Sequence, residues 1–172
     1  MDKTSVVGLT AIAGFVAGGV WLSALLDRSP DPTEPVAAAI KADFSEYIPY
    51  LKDPVRRAEA GIDKAAICIQ TEELLDYPIL ADRLADSFLH PIPVADCTSK
   101  TVEGDFGMFT ALTYWFDKDG AEAGKIDVVA VRCPTPSRCF VDIDHRGGGN
   151  RYEAIRSDGR WMAKWHKMRW VV

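Results

Sequence analysis

Residues 5–26 contain no charged side chain, a gap of 22 positions in a 172-residue chain that is 26% charged overall. Cysteine is sparse as well. There are four, and none precedes Cys68, so no thiol near the apolar run is available for lipid attachment. The three histidines, His90, His145 and His166, are too scattered to propose a metal triad. No C-x₂-C spacing occurs, which removes the common zinc sites. G-x-S-x-G and H-E-x-x-H are absent too. Gly120-Ala-Glu-Ala-Gly124-Lys125 is one residue short of a phosphate loop and has Ile126 where Ser or Thr binds magnesium. Asp117-x-Asp119-Gly120 lacks the later glutamate of a calcium loop. There is no internal repeat. On this reading the chain takes no cofactor and no metal, and its motifs do not support an enzyme.

What is present begins with the uncharged run. As a helix, residues 5–26 would reach about 33 Å, close to the roughly 30 Å hydrocarbon thickness of a bilayer. Met1-Asp2-Lys3 and Asp27-Arg28 mark its ends with charge, and Trp21 falls where an indole ring favours the interface. A signal anchor or transmembrane helix over residues 1–28 is therefore expected, with membrane lipid as its partner. A cleaved signal peptide is the second reading, since small residues at Ala17, Gly18 and Gly19 suit cleavage. A buried core helix is the third. Gly14 and Gly18 have the small-xxx-small spacing that lets two membrane helices approach. Basic residues barely differ across the run, so orientation rests on the signal-like N-terminus and the cysteines. Both favour an exported, periplasmic or extracellular C-terminal domain.

Three prolines in residues 29–35 make a stiff, extended spacer. The domain is then expected over residues 36–172. Val36, Ile40, Phe44 and Ile48 recur every four residues, which predicts a helix over about 35–51. Asp53-Pro54 reads as an N-cap and first helical position of a second helix, to about residue 62. Residues 65–70 form a short apolar run, a strand or a buried connector. A third helix is expected over 71–89, with Pro78 kinking it or marking its true first turn.

Beyond Asp105 the texture changes to strand. Segments 106–116, 125–133, 139–145, 151–156 and the final stretch are separated by turns at 117–120, 134–138, 146–150 and 157–159. Helices first and strands afterwards predict an α+β domain, with about three helices packed on an antiparallel sheet of four to five strands.

Cys133 and Cys139 flank a short loop with two prolines. In a hairpin they would face one another as a disulfide, leaving Cys68 and Cys97 as the residual pair. Free thiols and metal or redox chemistry are the alternatives. Asp142-Ile-Asp144-His145 puts two carboxylates on one strand face beside an imidazole, the best candidate for a metal-dependent or hydrolytic site. Two acids on the solvent side of a strand need no such role. The adjoining Arg146-Gly-Gly-Gly-Asn-Arg151 reads as a glycine-rich hairpin turn, with anion binding as the sharper alternative.

Charge is unevenly spread. Residues 27–145 hold 12 basic against 22 acidic side chains, whereas residues 146–172 hold 7 against 2. The two parts either neutralise each other across the fold or offer a basic surface to an acidic partner. Read as a strand, the last stretch shows half-buried alternation, with a bulge or strand end needed near Lys167 because Trp170 falls out of phase. Read as a helix, it carries a basic stripe suited to a membrane surface. Arg160, Lys164, Lys167 and Trp170 are the candidate partner-surface residues. Nucleic acid is not expected for an acidic exported chain. The expected function is that of a membrane-anchored exported domain that binds or assembles with an envelope or membrane protein. A secreted soluble binding domain, or a small enzyme using Asp142, Asp144 and His145, are the alternatives.

Overall fold

The computed structural model describes residues 31–106 and 109–171. The apolar run, with Gly14 and Gly18, lies outside the described residues. Among those described, no helix is long and apolar enough to cross a membrane.

Helix α1 (Thr33–Asp43) buries Thr33 and every residue from Pro35 to Ile40. The last three residues of the proline-rich stretch thus belong to the helix rather than to a spacer. Thr33 Oγ1 accepts from the Asp76 amide at 2.9 Å, tying the start of α1 to the start of a later helix. The predicted helix over 35–51 is broken in two. Pro49 has no N–H and its ring clashes with the carbonyl four residues back, so the chain leaves the helix at Phe44. It restarts as α2 (Ile48–Lys52), with Pro49 in the first turn where its missing donor costs nothing. The expected cap at Asp53 is present: its carboxylate accepts from Val55 N at 2.9 Å and Arg56 N at 3.4 Å, opening α3 (Pro54–Ala60). Gly61, at φ 67, ends it in the left-handed conformation that lacks a Cβ penalty.

Residues 65–70 are strand, within β1 (Ala65–Thr71). The helix expected over 71–89 is shorter, α4 (Tyr77–Leu84), because Pro78 marks its first turn and disfavours helix before it. Strands β2 (Leu89–Pro93), β3 (Thr98–Phe106), β4 (Phe109–Phe116), β5 (Glu122–Thr135), β6 (Arg138–His145), β7 (Gly148–Ser157) and β8 (Arg160–Val171) follow.

Among the described residues the fold is α+β, with four helices and eight strands, so the sheet is larger than expected. It is also mixed rather than antiparallel. Its order is β2-β1-β5-β6-β7-β8, and β1 runs parallel to both β2 and β5. From β5 to β8 each strand is antiparallel to the last. The β3–β4 hairpin joins this sheet only at the start of β5, through Trp115 opposite Ala123 and Phe116 opposite Glu122.

Two turns set the geometry of the last three strands. The β6–β7 corner is a two-residue turn at Arg146 and Gly147, with Gly147 at φ 89, and Gly148 and Gly149 already lie in β7. Asp158 (φ 51) and Gly159 (φ 74) are both left-handed, the requirement of the two-residue turn that matches strand twist. On one face of the sheet Val36, Ile40, Leu80 and Leu84 share a core with Ile67, Ile69, Val128, Val141, Ile143 and Tyr152. On the other face Ala66, Cys68 and Ala123 meet Ile92, Cys97 and Trp115.

Candidate interaction surface along the last strand

Both cysteine pairings are formed, Cys133 to Cys139 across the β5–β6 hairpin and Cys68 on β1 to Cys97 ahead of β3. The second fastens the β3–β4 side of the molecule to the main sheet.

Strand β8 is an edge, twelve residues long, with four basic residues and no acidic one. Its exposed residues include Met162 (65% exposed), Trp165 (58%), Met168 and Val171. The irregularity expected near Lys167 is real and double. Arg151 pairs with Lys167 while Tyr152 pairs with Trp165, and Asn150 pairs with Met168 while Gly149 pairs with Trp170. His166 and Arg169 are the two extra residues. Because directly opposed residues share a sheet face, the bulges decide which side chains lie together. Arg160, Lys164, Lys167 and Trp170 stand opposite Ser157, Glu153, Arg151 and Gly149. All four candidates therefore lie on the face opposite the helices. Simple alternation over 160–170 already groups Trp170 with Arg160 and Lys164 and leaves Lys167 out. The first bulge turns Lys167 onto this face and the second keeps Trp170 there, so Trp170 stays out of phase with Trp161 and Trp165.

That face is organised around Asp142, which is 2% exposed. Arg151 grips its carboxylate bidentately, at 2.6 Å through Nε and 2.8 Å through Nη2. Arg132 donates to Oδ2 at 2.8 Å, and Arg169 Nε lies 3.5 Å from the same oxygen. Burial pushes the Asp142 carboxyl up, but the Arg151 hydrogen bonds and the charges of Arg151, Arg169 and Arg132 outweigh it and hold it below the ordinary carboxylate range. Asp144 pairs with Arg169 Nη1. The network thus spans β5, β6, β7 and β8 and pins the edge strand. Glu153 is lowered in the same way: burial acts against it, and hydrogen bonds from Arg138 and Lys164 prevail.

The proposed trio of Asp142, Asp144 and His145 is not assembled. Both carboxylates are already paired with arginine, and His145 turns to the other face, where its Nε2 lies 3.5 Å from Asn150 Nδ2. Asp142 is ionised and surrounded by the cationic groups of Arg132, Arg151 and Arg169, which disfavour a metal ion beside it. Among the described residues no group of three His, Cys, Asp or Glu side chains is placed to hold a metal ion. Sequence reasoning missed Arg132, Arg151 and Arg169 as its partners. Only the strand register brings them together.

Gly149 carries a different constraint. A Cβ there would lie 2.2 Å from Asp144 Oδ1 and 2.3 Å from Trp170 Nε1. Only glycine lets the carboxylate and the indole meet over β7, so Trp170 is seated by a missing side chain. Beside it opens a cleft of about 570 Å³ between β4 and β6, where Tyr114, Trp115, Lys125, Arg146 and Trp170 contribute to the lining. Arg146 bridges it to the Thr113 carbonyl.

Fold and surface together define, among the described residues, a disulfide-bonded α+β domain with a basic strand at an edge of its sheet. Comparison with family models, curated proteins and solved structures finds no match for this chain.

Proposed function

We propose that this protein is a membrane-tethered, exported domain that assembles with an envelope or membrane protein by receiving an extended acidic segment of that partner along β8. The observation that carries the reading is β8 itself: a long edge strand with exposed methionine and tryptophan, basic side chains and no acid. Unprotected edges of this kind are templates for strand addition, in which backbone hydrogen bonds give affinity and side-chain contacts give specificity. Arg160 and Lys167 supply charge complementary to acid side chains, and Trp170 closes the track at the cleft beside β4.

Export is supported by the two disulfides, which persist in oxidising compartments. The uncharged residues 5–26 supply the tether, and Gly14 and Gly18 a face for helix association. Intact mass of the mature chain separates a tether from cleavage after residues 17–19.

The test is gentle membrane extraction of the full chain beside an Arg160→Glu, Lys167→Glu variant. The parent migrates in a complex with a second protein, and the variant migrates free of it while retaining its thermal transition. A parent that extracts alone contradicts the proposal, as does a variant that keeps its partner.

A further inference from the structure

On the helix side of the sheet a second cleft, of about 550 Å³, lies between the C-terminal end of α1 and strands β7 and β8. Its walls include two rings that the core does not use, Tyr47 (64% exposed) and Trp165 (58%). Its floor is polar and fixed. Tyr152 donates its hydroxyl proton to Asp43 Oδ1 at 2.5 Å. Burial, with the Asp43 hydrogen bond second, pushes the Tyr152 phenol well above its ordinary range, so it stays a donor. Asp43 is the last residue of α1, where the helix dipole disfavours an anion. The Tyr152 hydrogen bond offsets that cost and holds the carboxylate at the cleft.

The rest of the floor is a hydrogen-bond chain whose roles are all determined. Trp165 Nε1 can only donate, so the Asn150 oxygen is the atom 3.2 Å away that accepts from it. The Asn150 amide nitrogen therefore faces His145 Nε2 as a donor, which makes Nε2 an acceptor. His145 Nδ1 then carries the hydrogen and gives it to the Arg146 carbonyl at 3.3 Å. Trp165 is thus held at its nitrogen while its ring stays open to solvent.

We propose that this cleft binds a neutral saccharide. An exposed, oriented indole beside a second exposed aromatic ring suits the apolar C–H face of a sugar, since these rings present apolar area at little conformational cost. The second Asp43 oxygen is left to accept, and the second Asn150 amide hydrogen and the Lys125 and Arg146 side chains to donate, as a polyhydroxyl ligand requires. Charge argues against an anion: Asp43 and Glu46 face Arg146 and a Lys125 already paired with Asp127, so no positive charge is in excess. The proposal concerns the helix-side face of the sheet; Trp165 also belongs to the β8 edge, and the variants below separate the two roles.

The test is calorimetric titration of the full chain, in a detergent without sugar headgroups, with chitotriose and with maltotriose. Saturable binding of at least one trisaccharide at about 1 mM or tighter is expected. Trp165→Ala and Tyr47→Ala should each weaken it about tenfold, a loss typical of an oriented aromatic contact. Arg160→Glu, Lys167→Glu should leave it unchanged, which separates this site from the partner track. No saturation by either sugar overturns the proposal. So does binding that survives both aromatic substitutions, or tighter binding of an extended peptide that competes at Trp165.

Discussion

The two edges of the main sheet are built on opposite plans. Strand β2 is five residues long and holds Pro91 and Pro93, which cannot donate to another strand. Strand β8 is twelve residues long and has no proline. They are also fastened differently. The β1–β2 side carries a covalent staple, Cys68 to Cys97, whereas β8 is pinned by the arginine–carboxylate network through Arg169. One edge is closed and covalently secured. The other is open, basic and held by charge, and the proposed binding function rests on the second.

This contrast can be broken from either side. The largest expected effect is on the stapled side. Replacing Cys68 and Cys97 by Ser releases a 29-residue separation and should cost about 3.6 kcal/mol by loop-closure entropy. The hairpin pair Cys133–Cys139, separated by six, should cost about 2.3 kcal/mol. Urea unfolding of the two double variants measures both, and equal losses would show that loop length does not govern them.

Asp142→Ala attacks the other side. It strands three arginines, but these reach solvent, so the loss should sit at the low end for a broken buried pair, about 3 kcal/mol. Amide exchange should quicken first in β8. Uniform acceleration across the sheet would contradict the pinning role. Acid should mimic the substitution. The Asp142 and Glu153 carboxyls lie below their ordinary values in the folded chain, so their stabilisation is complete above the unfolded carboxylate pKa of about 4 and is lost as pH falls through the folded values. Reduction should loosen the β1–β3 side and acid the β8 side, read separately by exchange.

Gly149→Ala is expected to cost about 2 kcal/mol through overpacking against Asp144 and Trp170. The Trp170 environment should change, as near-ultraviolet circular dichroism reads. A silent substitution would mean that the indole is not seated as described.

Much of this open edge was legible in the sequence. Asp158-Gly159 announced its hairpin through residues that tolerate positive φ, and the irregularity expected near Lys167 is present, although Trp170 stays out of phase with Trp161 and Trp165. Asp53-Pro54 and both cysteine pairings were legible for similarly local reasons. What escaped depended on distant segments. The polar stretch of β3 becomes a strand by pairing with β4, and β1 finds parallel neighbours far along the chain. Two prolines, Pro49 and Pro78, cut helices whose apolar spacing ran past them. Asp142 looked like a free acid because its three arginines come from three other strands. The surface candidates were visible as residue types, but the double bulge that turns Lys167 onto the face of the other three was not.

The most direct measurement compares the two edges in the assembled protein. A photo-crosslinking residue is placed at Met162 or Met168 on β8, or at Ile92 on β2, in the full chain in its native membrane. The account predicts one adduct of the same added mass from both β8 positions, abolished by Arg160→Glu, Lys167→Glu, and none from β2. Adducts from β2 alone, or from neither edge, would contradict it.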